Sequence, residues 1–267
     1  MAKTIHCSIR CILSMLAVLL VALAAGSAGA ELRTYVKEYS YRASKADGKE
    51  SSRTIARRQV KKLLLETLAA DLENVTEARR LQLTKDQIAV LSAGIVKMDV
   101  ENERWADRTY RLKAMIAADP DEVIKHLDAL CKDQEKAKEL AKIRVLSDDL
   151  LRENEKLRRE FMAAAGKKRL SVKAVYDKQI KEMGAIESYE KGLADINLGK
   201  YDQAIADLST AIELNPKEVG PYHNRGLAYT KLRRHAQAVQ DYSRAIELAP
   251  APLVKARLAV IEPRRSF

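Results

Sequence analysis

The sequence predicts an α+β protein. It has a small β-α-β-β domain at the N-terminus, a long connecting helix that can form a coiled coil, and a C-terminal all-α unit of two repeats with flanking helices. Three observations predict this. The segment QAIADLSTAIELNP (203–216) returns 34 residues later as QAVQDYSRAIELAP (237–250). Apolar residues recur at three- and four-residue steps through 138–165, the spacing of one helix face. Ahead of both, runs that alternate with period two flank a run with helical period.

Residues 1–30 read as a secretory signal peptide. Lys3 and Arg10 give a basic start, 11–25 is an apolar run of the length an h-region needs, and Ala28-Gly29-Ala30 supplies small residues before a cleavage site. The expected mature start is Glu31, and the expected location is the periplasm or the exterior of a bacterium. An uncleaved N-terminal membrane anchor is the alternative, although the apolar run is short for a span. The mature chain is expected to contain no membrane span. The chain of 267 residues carries a formal charge of +11; without Lys3 and Arg10 it would carry +9. Basic and acidic residues are interleaved almost throughout, which is the pattern of a solvated surface more than of a nucleic-acid stripe. Cys7 and Cys11 fall in the leader, so Cys131 is the one mature cysteine and no internal disulfide can form. Cys131 is either inert or available for an intermolecular disulfide.

Residues 31–118 are expected to form the small α/β domain. Tyr35, Lys37, Tyr39 and Tyr41 alternate with Val36, Glu38 and Ser40 as a strand. After Ala46-Asp47-Gly48, Ser51 or Ser52 is the expected cap of a helix carrying Ile55, Ala56, Val60, Leu63, Leu64 and Leu68. Thr84 and Gln87 form a capping box for a short helix closed by Gly94. Two strands follow, the first with Val96, Met98 and Val100 on one face, the second with Tyr110, Leu112, Ala114 and Ile116. Trp105 to Arg108 is the expected connection, with Trp105 packed over the hairpin. This order, with phrases such as Leu83-Thr84-Lys85-Asp86-Gln87-Ile88, resembles small envelope domains of exported bacterial proteins, including flagellar-ring assembly and outer-membrane lipoprotein families.

Residues 119–165 are expected to be one long helix, begun by Asp119 as cap, Pro120 in the first turn and Glu122 completing a box. Leu140, Ile143, Ser147, Leu150, Asn154, Leu157 and Phe161 make an a/d stripe with Asn154 at an a position. Two readings stay open: a parallel homodimer through 138–165, in which Cys131 could cross-link the copies, or a helix packing on its own domain. Residues 166–184 are expected to be a hinge and a leading helix. Gly166-Lys167 is not a phosphate-binding loop, because Phe161 and Lys168 stand where glycine and Ser/Thr are required.

Within 185–252 the two copies place small residues at matching positions: Gly192 and Gly226, Ala204 and Ala238, Ala211 and Ala245. Pro216 and Pro250 end both. The period and these residues resemble the tetratricopeptide (TPR) repeat, a pair of antiparallel helices per unit. The resemblance implies that the first helices of the repeats line a peptide-binding groove with Tyr189, Leu193 and Asn197, then His223, Leu227 and Lys231. It also places Asn224 where the family often has an asparagine that bonds a ligand backbone. The sequence departs from the family at Ser188, Lys191 and Arg225, where large apolar residues are usual. It also lacks the lysine and asparagine of the carboxylate clamp, having Tyr189 and Leu193 there. Residues 253–267 are expected to cap the last repeat.

No H-E-x-x-H, C-x-x-C, G-x-S-x-G or G-x-G-x-x-G motif is present. His126, His223 and His235 have no ligand set at a useful spacing. The expected catalytic and metal sites are none, and no cofactor is implied. The sequence reading is therefore an exported, non-enzymatic scaffold or adaptor that presents its repeat groove to a protein or peptide partner, expected in the cell envelope. The alternative is a structural subunit of an envelope complex docked through the α/β domain.

Overall fold

The computed structural model describes residues 32–249, and these belong to one compact unit. The architecture is the expected one: a small mixed β/α region followed by a long helical repeat region. Strand β1 (Arg33–Arg42) leads to helices α1 (Lys49–Leu72), α2 (Thr76–Arg80) and α3 (Lys85–Ser92), then to strands β2 (Asp99–Ala106) and β3 (Thr109–Ala118). The sheet is antiparallel in the order β1-β3-β2. Its alternation places Tyr110, Leu112, Ala114 and Ile116 of β3 inward, against Leu64, Leu65 and Leu68 of α1, all in one apolar core.

Several local expectations need correcting. Helix α1 begins three residues early, capped by Gly48. Ser51 and Ser52 lie in its first turn and donate their hydroxyls back to the Gly48 carbonyl, while the Gly48 N–H donates to Ser51 Oγ. The first hairpin strand starts at Asp99, since only from there does the backbone pair with β3; Val96 and Met98 are buried ahead of it. The hairpin turn is Asp107-Arg108 alone. Both residues have positive φ, 49° and 56°, as a two-residue turn of the primed type requires. Trp105 is thereby a strand residue opposite Tyr110, with ring centroids 6.4 Å apart, and packs over the hairpin as expected. Thr84 and Gln87 do exchange the bonds of a capping box. Gly94 is not left-handed; a Cβ there would lie 2.8 Å from Leu140 Cδ2, so it serves close approach.

The connecting helix is broken. α4 (Pro120–Lys132) ends at Asp133, whose backbone leaves helical geometry and whose carboxylate then caps α5 (Gln134–Ala163) through the Lys136 N–H. At the start of α4, Asp119 accepts from the Asp121 N–H, and Glu122 pairs with Lys125. The a/d stripe is fully buried: Leu140, Ile143, Ser147, Leu150, Asn154, Leu157 and Phe161 are the buried residues of α5. It is covered within the chain. Leu140 meets Gly94, Ser147 accepts from Arg58 Nε of α1, and Leu157 and Phe161 pack with Val172 and Tyr176. Of the two readings, the structure has the helix packing on its own domain.

No hinge separates the leading helix from the repeats. α6 runs unbroken from Gly166 to Asn197, so the first helix of repeat one is its second half. α7 (Tyr201–Leu214), α8 (Val219–Lys231) and α9 (His235–Leu248) follow, each packed on its predecessor. Gly192 and Gly226 sit at close crossings: an added Cβ would lie 2.6 Å from Leu208 Cγ and 2.9 Å from Tyr242 Cε1 respectively. Ala204, Ala211, Ala238 and Ala245 are buried between helices. Pro216 follows the end of α7, and Gly199, at φ 72°, turns α6 into α7. The matching turn of repeat two uses Arg233 at φ 58°, a left-handed position without glycine. The expected leader 1–30, Pro250 and the capping segment 253–267 lie outside the described residues.

Candidate functional site

The groove residues read from the sequence fall into two groups. In repeat one they are used by the molecule itself. Tyr189 is buried; its hydroxyl donates to Glu139 of α5 and accepts from Asn224 Nδ2 at 2.7 Å. Burial and the Glu139 carboxylate push the Tyr189 hydroxyl well above its ordinary range, so it remains a neutral donor. Leu193 is half-buried against the common core. Asn197 donates from Nδ2 to the Gly94 carbonyl at 2.5 Å. Asn224, although on α8 of repeat two, is also used internally, spending its amide on Tyr189 and on the Gly220 carbonyl.

In repeat two the inner positions are more open. His223 and Leu227 are half-buried and Lys231 is exposed, with Thr230 exposed beside it. The His223 ring lies 5.6 Å from that of Tyr242. These side chains project from α8, whose place is fixed by Gly226 against Tyr242 and by a bidentate pair. Arg225 donates to both oxygens of Asp241, at 2.8 and 2.7 Å, and to Ser209 at 2.9 Å. That pair answers the departure at Arg225: an ion pair between α8 and α9, tied to α7, stands where the family places an apolar contact.

The departures at Ser188 and Lys191 have a different answer, one that sequence reasoning missed. Helix α1 packs on α6 in the first repeat, and it does so through charge. Arg57 Nε is 2.7 Å from Glu187 Oε1, and Lys191 Nζ is 3.1 Å from the same oxygen. Lys61 Nζ is 2.7 Å from Glu190 Oε2, with Arg58 Nη1 at 3.5 Å. Burial alone would push both carboxyls up. The opposing cations outweigh it, holding Glu190 below the usual range and Glu187 at about 2. Lys97, ahead of β2, reaches Asp195 Oδ2 at 2.7 Å and Asp207 Oδ2 at 3.6 Å. Burial, then a hydrogen bond with Asp195, pushes the Asp207 carboxyl up. The sequence signal for this interface was the i, i+3 pair Glu187/Glu190, next to the two positions, Ser188 and Lys191, where the repeat family has large apolar residues.

The described residues contain no group of three or more His, Cys, Asp or Glu side chains placed to hold a metal ion. Among them no helix is long and apolar enough to cross a membrane. Cys131 is half-buried, and burial with the nearby Asp128 pushes its thiol up, the setting of a poorly reactive cysteine.

Comparison with known proteins agrees with the repeat reading. The TPR repeat family matches residues 192–233, and the tetratricopeptide repeat family matches residues 221–252. The chain thus contains TPR repeats behind a small N-terminal domain. No curated protein matches the chain. Among solved structures, the second TPR of Spaghetti (RPAP3) bound to HSP90 peptide SRMEEVD is similar at 20% identity, covering 42% of this chain and 97% of that one, with a TM-score of 0.26. A TPR fold can bind peptides and proteins. Such a fold suits an interaction scaffold.

Proposed function

We propose that this protein is an exported interaction scaffold of the cell envelope that takes a peptide or protein partner on the inner face of its second repeat. His223, Leu227 and Lys231 are the contact residues in this reading. Tyr189, Leu193, Asn197 and Asn224 act behind them by fixing α6 and α8. The observation that carries the proposal is the contrast in exposure along the groove: Lys231 is exposed, whereas Tyr189 and Asn224 are buried and bonded within the chain. A wall anchored at one end and more exposed at the other needs little further ordering to receive a partner. The leader signature in residues 1–30 supports export.

Site-specific photo-cross-linking in cells tests the proposal. A cross-linking side chain at position 231 is expected to give a discrete adduct in the envelope fraction, and Leu227→Asp is expected to weaken it about tenfold or more, the scale of losing a central apolar contact. An adduct indifferent to Leu227→Asp would contradict the groove reading. It would favour the second one, a structural subunit docked through the α/β domain. That reading draws on the sheet, whose outer face leaves Val36 exposed and whose strand β2 pairs on one side only.

A further inference from the structure

The turn between α5 and α6 lies in a basic stretch without acidic residues. From Phe161 to Tyr176 there are four basic residues, Lys167, Lys168, Arg169 and Lys173, and no acidic one. Val219–Gln240 likewise holds four basic residues and no acidic one, but there Arg225 and Arg234 are paired with Asp241 and Asp202; in the turn stretch only Lys173 is paired, with Asp177. Lys167 and Lys168 are exposed and have no ion pair. Gly166, at φ 55°, sets the turn, and the backbone around it carries only alanine side chains at 163–165. At the same place stand apolar side chains that the fold leaves out. Leu170 is 73% exposed, the most exposed large apolar side chain among the described residues, and Met162 is 50% exposed.

The turn is firmly mounted. Leu157, Phe161, Val172 and Tyr176 form a small apolar cluster with Ala46 of the β1–α1 loop. Tyr176 donates to Asp47, and Arg158 donates to Tyr41 at 2.9 Å. Asp47, the one acid of the β1–α1 loop, is buried and accepts from Tyr41, Tyr176 and the Ser44 N–H. What that loop presents to solvent beside the turn is Lys45. Two segments distant in sequence therefore bring basic side chains to one end of the molecule, around an apolar apex.

We propose that this end docks on an anionic lipid bilayer, with Lys167, Lys168 and Lys45 over the headgroups and Leu170 and Met162 entering the interface. Charge selects an anionic partner. The geometry selects a bilayer over an acidic protein: apolar side chains projecting from the apex of a turn, between lysines that can extend past them, fit a surface that yields to insertion. This surface is separate from the inner face of the repeats and does not depend on it.

The test is co-sedimentation of Glu31–Phe267, the compact unit without the leader, with vesicles. One set is phosphatidylcholine alone and the other is equal parts phosphatidylcholine and phosphatidylglycerol. Binding is expected to the anionic vesicles only. The double variant Lys167→Glu/Lys168→Glu should lower it by about tenfold or more. Leu170→Ser should also weaken it at fixed lipid charge, with far-UV circular dichroism unchanged for both variants, since all three positions are exposed. Three results would overturn the proposal: no binding to anionic vesicles, binding that survives the charge reversal, or binding that ignores Leu170→Ser and is displaced by soluble polyglutamate. The last would assign the patch to an acidic macromolecule instead.

Discussion

Replacing Glu190 with alanine is expected to destabilise the protein by about 3–5 kcal/mol, the scale of breaking a buried ion pair from one side. Glu190 is 5% exposed, and its carboxylate is shared by Lys61 and Arg58 of α1, both themselves buried. Arg58 already has one terminal nitrogen, Nη2, without a partner. Removing Glu190 leaves two cations in a low-dielectric interface with no counter-charge. Equilibrium urea unfolding measures the loss. A triple variant, Arg58→Met/Lys61→Met/Glu190→Leu, should recover most of it, because the charges leave together. The same interface sets the response to acid. Glu187 and Glu190 have folded pKa values depressed below the unfolded value of about 4.3. Their contribution is therefore present in full above that value and is lost as pH falls through the folded values, for Glu187 towards about 2. The wild type should lose stability steeply in that window, and the triple variant less so.

The second large effect is expected at Tyr189, which the TPR resemblance places in the groove. Tyr189→Ala should cost about 3–5 kcal/mol, the range for truncating a buried aromatic residue. The ring is buried between α5 and α8, and its hydroxyl links Glu139 to Asn224. A Cβ at Gly220 would collide with this hydroxyl, so α8 is seated directly on it. Tyr189→Phe isolates the hydroxyl and should cost about 1–3 kcal/mol, the penalty for leaving buried polar groups unpaired. Lys231→Ala, on an exposed side chain, should stay within about 0.5 kcal/mol. Urea midpoints for the three variants therefore separate the structural half of the groove from the open half. They also show that loss of binding in a Tyr189 or Asn224 variant cannot be assigned to ligand contact without a stability measurement.

The repeats were legible in the sequence because their constraints are local and recur. A glycine facing Leu208 must recur as a glycine facing Tyr242 when the same crossing is built twice. Caps were legible where the side chain itself makes the bond, as at Thr84, and less so at Gly48, which caps α1 with no side chain. The stripe along α5 was legible as a buried face, but not what covers it. Heptad spacing describes one helix, and α1, α6 or a second copy would satisfy it equally. The break at Asp133 was hidden by helical residues on both sides of an aspartate that leaves one helix and caps the next. The half-closed groove was the least legible feature. It depends on Glu139, Gly94 and helix α1 arriving from 50 to 132 residues away, which no pattern within the repeats encodes.

The central claim is that the α/β domain and the first repeat are one structural unit, so that Tyr189, Asn197 and Asn224 of the inner wall are held within the chain while Lys231 stays exposed. Native-state hydrogen exchange tests it most directly. Backbone amides of α1 around Lys61–Leu68 and of α6 around Glu187–Asp195 should open with the same free energy, close to that of global unfolding, and both should drop together in Glu190→Ala. Protection of α6–α9 that persists while α1 exchanges freely would mean that the domain is only loosely attached, and that all of the inner wall is available to a partner.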